Sequence, residues 1–280
     1  MIRLALDSGW RLVTHPDHAG LAADFATTWG NDIFSRPEPR ADVLRGIRCH
    51  DDGWMERDAQ PQITREGRPG AFSSDLVGKY SAFEEIDLAD YLSVRGRALD
   101  KLAQEHPYAA VIVSMHTCNL LTARADRTTI KPSELSLLDA FVTGQLSKQA
   151  SLRQELEKDS AYGPDELNDD AWRDHFRLLQ ACDNLSLVAC VGYKEPATLL
   201  HPLPKRDGTY TEIRVRQTAP DRYEVAPFPF PGKVQSFSFP TRFLPQTTFA
   251  STGEFQQAFR EAKAVPVTIT LTAPAEPPQL

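Results

Sequence analysis

The sequence predicts a mainly α chain: a helical bundle over residues 1–190 with an antiparallel β-rich lobe over residues 191–272, α+β overall. Three observations predict it. Up to Cys190, apolar residues recur three and four apart, the spacing of one helix face. Beyond Cys190 lie thirteen of the 21 prolines. There, too, apolar and polar residues alternate, the period of a half-buried strand.

Ile2 to Leu6 and Trp10 to Val13 read as short strands. They feed a helix over Pro16 to Trp29 through Thr14-His15-Pro16, where Thr14 or His15 can cap and proline suits the first turn. Helical spacing continues over Ala41 to Asp52, Ile86 to Glu105, Pro107 to Leu121, Pro132 to Gln149, Leu152 to Lys158 and Asp170 to Cys190. Glu56 to Ser81, rich in Gly, Pro and Ser, reads as a loop, either a solvated connector or a source of substrate contacts at Phe72, Lys79 and Tyr80. Thr211 to Arg216, Arg222 to Val225 and Val234 to Phe239 alternate as strands, with Ala219-Pro220-Asp221 as a hairpin turn. A short helix over Gly253 to Ala264, a last strand over Val265 to Leu271 and a disordered tail over 273–280 complete the reading.

Four helices carry a polar residue on the face that should be apolar. His18 aligns with Leu21, Ala22, Phe25 and Trp29. The stripe Val43, Leu44, Ile47 runs into His50 and Asp51. His116 aligns with Ile112, Val113 and Leu120, and Asp183 extends the line of Phe176 and Leu179. An unpartnered imidazole or carboxylate in a core costs several kcal/mol or changes its protonation, so the four intrusions ask for one explanation. A shared divalent ion is the economical one. Two imidazoles and two carboxylates bring such an ion close to neutrality and favour Mn, Fe, Mg, Co or Zn over soft metals. Gly53, directly after the doublet, reads as the turn by which the chain leaves the helix. The structural alternative replaces the ion by His–Asp hydrogen bonds.

The order of these residues resembles the HD-domain superfamily of metal-dependent phosphohydrolases. His18 matches the first ligand, His50-Asp51 the doublet and Asp183 the final aspartate; His116 resembles the additional histidine of dinuclear members. The resemblance covers residues 12 to 190 and implies an HD-like bundle holding one or two ions. The whole chain also resembles an uncharacterised bacterial family carrying Trp-Gly, His-Asp-x-Gly-Trp, Ser-x-His and Cys-Asp-x-Leu-Ser, here at Trp29, His50, Ser114 and Cys182. It departs from the superfamily in placing Trp54 where a lysine is common, in offering only His106 and His116 between doublet and final aspartate, and in a long insertion from Arg124 to Asp170.

The resemblance implies hydrolysis of a phosphoester of a nucleotide or small metabolite through a metal-activated water. His18, His50, Asp51, Asp183 and His116 are the expected ligands, with His116 and Asp52 as catalytic candidates and Trp29, Trp54, Lys79 and Tyr80 as pocket candidates. The alternatives are an HD-like di-iron oxygenase and a non-catalytic metal-stabilised sensor or binding module. His15, His106, His175 and His201 read as hydrogen-bonded structure, and Arg124 and Arg127 as surface ion pairs.

Composition bounds the partners. The chain has 280 residues, 41% hydrophobic and 25% charged, and a net charge of -7 without a basic run, which argues against nucleic-acid polymers and leaves a small, possibly phosphorylated molecule. No apolar stretch is long enough to span a bilayer, and the opening residues turn polar too soon for a signal peptide, so a cytoplasmic location is expected. The four cysteines lack Cys-x-x-Cys spacing and read as buried thiols.

Overall fold

Strands from both ends of the chain share one sheet in the computed structural model, which describes residues 1–77 and 87–275. The strands are β1 (Ile2–Leu6), β2 (Gly9–Val13), β3 (Ala197–Thr198), β4 (Leu203–Pro204), β5 (Tyr210–Thr211), β6 (Arg214–Ala219), β7 (Arg222–Ala226), β8 (Val234–Leu244) and β9 (Ala264–Thr272). The helices are α1 (His15–Thr28), α2 (Arg40–Cys49), α3 (Met55–Ala59), α4 (Leu88–Glu105), α5 (Pro107–Asn119), α6 (Leu135–Leu156), α7 (Pro164–Leu167), α8 (Asp169–Cys190) and α9 (Thr252–Glu261).

Among the described residues the main sheet runs β1-β2-β8-β9-β7-β6-β3. Every pair in it is antiparallel except β7 with β9, which run parallel. This overturns the expected mainly α bundle with an antiparallel C-terminal lobe. The protein is an α+β fold with a mixed sheet, and it is not an all-α bundle. Periodicity located the strands but could not name their partners. The hairpin β1–β2 looked like a lead-in to α1, yet β2 has a free row of backbone donors and acceptors, which β8 satisfies at Trp10↔Leu244 and Leu12↔Arg242.

One buried cluster joins helices and sheet: Phe25, Ile47, Ile112 and Leu179 belong to it together with Val13, Phe237 and Ile269. Phe25 of α1 meets Phe237 of β8 edge-on at 4.8 Å, so the helix that carries His18 lies on the sheet. Each helix that matters for the site starts where its sequence dictates. Thr14 caps α1 by accepting from the Asp17 N–H, Asp87 caps α4 through Asp90, and Asn168 caps α8 through Ala171. The two helices expected over Pro132–Gln149 and Leu152–Lys158 form the single α6, since Ala150 and Ser151 break neither spacing nor backbone. Cys118, Cys182 and Cys190 are buried and all four cysteines are free. Among the described residues no helix is long and apolar enough to cross a membrane. Residues 276–280 of the expected tail lie outside the described residues.

Candidate metal centre

α1, α2, α5 and α8 bring His18, His50, Asp51, His116 and Asp183 together, each at most 8% exposed. Two overlapping groups have potential ligand atoms within 4.8 Å of one another: His18, His50 and Asp51, and His50, His116 and Asp183. These buried groups can hold a metal ion, and all five expected ligands fall in them.

The doublet works because α2 ends at it. His50 is still helical, whereas Asp51, at φ −118 and ψ 14, has left the helix, so the two side chains converge despite being adjacent. Gly53 has a different role from the expected one. It is not a left-handed helix terminus. A Cβ there would stand 3.2 Å from Ala98 Cβ, so glycine allows α4 to approach the doublet. That approach delivers Arg95, whose Nη1 donates to Asp51 Oδ1 at 2.8 Å and to the His50 carbonyl at 2.9 Å.

Hydrogen bonds fix how two imidazoles face the carboxylates. Ser186 spends its single proton on the Asp183 carbonyl, at 2.7 Å, so its oxygen accepts from His18 Nδ1–H at 2.9 Å. His50 Nδ1–H donates to the Ile47 carbonyl at 2.7 Å. Both Nε2 atoms therefore face the carboxylates, His18 Nε2 at 3.0 Å from Asp51 Oδ2 and His50 Nε2 at 3.4 Å from Asp183 Oδ1. A second ring nitrogen bonded to an oxygen is the usual arrangement of a metal-bound histidine. His50 Nε2 is buried without a hydrogen-bond partner. An orphaned nitrogen between two carboxylates is what a cation would satisfy.

The electrostatics agree. Burial alone would lower the pKa of His50, but Asp51 and Asp183 outweigh it and raise it to about 9. Burial alone would raise those of Asp51 and Asp183; Arg95 and His50 hold Asp51 well below the usual carboxylate range, and His50 lowers Asp183. The carboxylates thus demand positive charge, which the His50 imidazolium supplies when no ion is bound. Burial pushes His116 down to about 3, keeping it neutral.

Around this centre, Trp54 stacks on His15 at 5.4 Å and lies beneath the Arg95 guanidinium at 5.1 Å. His15 Nδ1 is 3.0 Å from Asp58 Oδ1. Trp29 instead packs edge-on against Phe34 and Phe230 in the core. Phe72 is tied to β1, its carbonyl accepting from Arg3 N–H. Lys79 and Tyr80 lie outside the described residues. A cleft of about 430 Å³ reaches His50 and Arg95 and is lined by Asp52 together with Arg45, Arg97 and Lys101. Burial raises the pKa of Asp52.

Sequence reasoning missed Arg95, Ser186 and Gln180. Arg95 carried the same signal as the histidines, a charge on the stripe Leu88, Leu92, Leu99. Ser186 and Gln180 flank Asp183 at helical spacing and are fully buried, but a small or amide side chain on an apolar face does not by itself mark a site. No curated protein and no solved structure matches the chain. Residues 1–246 match the family described as protein of unknown function DUF3891, and the chain belongs to that family.

Proposed function

We propose that this protein is a metal-dependent hydrolase acting on a phosphoester of a nucleotide or small metabolite. The observation that carries the metal is the orphaned His50 Nε2, set with His18 Nε2 toward two carboxylates that call for a cation. His18, His50, Asp51 and Asp183 would hold the ion. Such an ion supplies Lewis acidity toward a phosphoryl oxygen and acidifies water. The word phosphohydrolase rests on the resemblance to the HD-domain superfamily, supported by the charges beside the site. Arg45, Arg97 and Lys101 line the cleft that reaches His50, beside Glu56 and Glu105, and would orient an anionic substrate. Asp52, in the same cleft with its pKa raised by burial, is placed to exchange a proton with bound substrate. Arg95 supplies the positive charge that Trp54 lacks, but spends it on Asp51, fixing the ligand rather than the substrate.

Elemental analysis of untagged protein purified without chelator, beside His50→Ala, tests the metal. One or two equivalents in the wild type, absent from the variant, are expected. A panel of phosphoesters then tests the reaction. No metal in either protein would refute the proposal; metal without turnover would make the protein a metal-stabilised binding module.

A further inference from the structure

The three histidines at the centre are not wired alike, and the difference separates ligand from donor. His18 and His50 each direct Nδ1–H to an oxygen, so Nε2 is the nitrogen turned to the carboxylates, where an ion would take the place of a proton. His116 is the reverse. Its Nδ1 lies 3.2 Å from Gln180 Nε2, an amide nitrogen that only donates, so Nδ1 must accept. In a neutral imidazole the proton then sits on Nε2, the nitrogen left for the site.

Gln180 is held at both ends of its amide. Its second N–H goes to Asn119 Oδ1 at 3.1 Å, and its oxygen accepts from His201 Nε2 at 2.7 Å. Reversing the amide would require the Asn119 amide to reverse with it and His201 to accept at Nε2 instead of donating. The amide is fully buried, so no water competes for these bonds. His201 reaches it from a left-handed backbone conformation, φ 61, which residues other than glycine rarely adopt.

We propose that His116 is not a metal ligand but presents Nε2–H to an oxyanion bound at the centre, with Gln180, held by Asn119 and His201, as the residue that fixes its tautomer. The inference rests on the metal reading above and deepens it. His18, His50, Asp51 and Asp183 would be the ligands of the ion, and its substrate would carry an anionic oxygen able to accept from His116. A hydrogen bond to such an oxygen, made inside a buried site, stabilises charge that builds there during reaction.

The test uses the full chain with Zn²⁺ as a diamagnetic probe. Zinc affinity is measured for the wild type, His50→Ala, His116→Ala and His116→Gln, and two-bond ¹⁵N–¹H spectra of the histidine rings report which nitrogen of His116 carries the proton. Expected are a loss of more than about 100-fold in His50→Ala and less than about 10-fold in both His116 variants, below the cost of losing even an outer partner of a ligand. The His116 proton is expected on Nε2 in wild type and on Nδ1 in Gln180→Glu, whose carboxylate accepts only. Loss of zinc in the His116 variants comparable to that in His50→Ala, or a wild-type proton on Nδ1, would overturn the inference while leaving the metal reading intact. An unchanged tautomer in Gln180→Glu would remove Gln180 from its role. If the wild type takes up no zinc, the metal reading fails, and the ligand-versus-donor assignment falls with it, whatever the tautomer.

Discussion

His50 and His175 are both buried imidazoles on helices of the same core, yet their surroundings differ completely. His175 Nδ1 is 2.9 Å from the Tyr108 hydroxyl, which in turn donates to the Glu166 carbonyl at 2.8 Å. No carboxylate enters into its pKa, and burial alone lowers it to about 4, so the ring is neutral. His50 meets two carboxylates, and burial is overridden to give a pKa of about 9. Burial of a histidine therefore says little about function. What marks the centre is an unpartnered nitrogen facing two buried carboxylates.

That contrast can be broken most forcefully at Asp51. Asp51→Ala should abolish metal uptake and, because it leaves the Arg95 guanidinium buried without its carboxylate, cost about 3–5 kcal/mol in urea denaturation of the metal-free protein. A stable variant with full metal content would remove Asp51 from the centre.

The next test is pH. The folded pKa of His50, about 9, lies above the ordinary imidazole value of 6.5, so its stabilisation of the metal-free fold is complete below pH 6.5 and disappears as pH rises through 9. His175, lowered to about 4, behaves oppositely, its contribution present above pH 6.5 and lost as pH falls through 4. Each span is on the order of 3 kcal/mol. Saturating metal should flatten the alkaline limb, because coordination replaces the His50 proton, and leave the His175 contribution to the acid limb in place. An alkaline limb indifferent to metal would place the ion elsewhere.

Tyr108→Phe sharpens the other side of the comparison. It strands His175 Nδ1 and the Glu166 carbonyl, for a loss of about 1–3 kcal/mol, while metal content stays at the wild-type value. Smallest of all, Arg48→Ala removes a half-exposed pair with Asp24 on the outer side of α1 and α2. Its expected cost is below about 1 kcal/mol, without effect on metal; a large metal loss there would mean that the α1–α2 packing, not the ligands, governs uptake.

Much of the centre was legible in the sequence because a polar residue on an apolar stripe is a local signal. His18, His50, Asp51, His116 and Asp183 all announced themselves by position on their own helices. Arg95 gave the same signal, but a long basic side chain on a stripe usually reaches solvent, so it drew no attention. The tautomers depend on Ser186, Ile47 and Gln180, that is, on which atom lies across the core, and no spacing encodes that. The same limit governed the fold. Alternation in Val234 to Phe239 revealed a strand, whereas the pairing of its far end, Arg242 to Leu244, with residues more than two hundred positions earlier was decided by edges seeking partners.

That long-range pairing has a consequence for the order in which the molecule can form. β2 acquires its second neighbour only when β8 exists, at Trp10↔Leu244. During synthesis the first hairpin leaves the ribosome with an open edge, and α1, which carries His18, has no sheet to lie on until β8 and β9 follow. Contacts so distant along the chain close slowly. A nascent chain stalled before Val234 would hold every proposed metal ligand and none of the strands that complete the support of α1, and the exposed edge of β2 would be its point of vulnerability to aggregation.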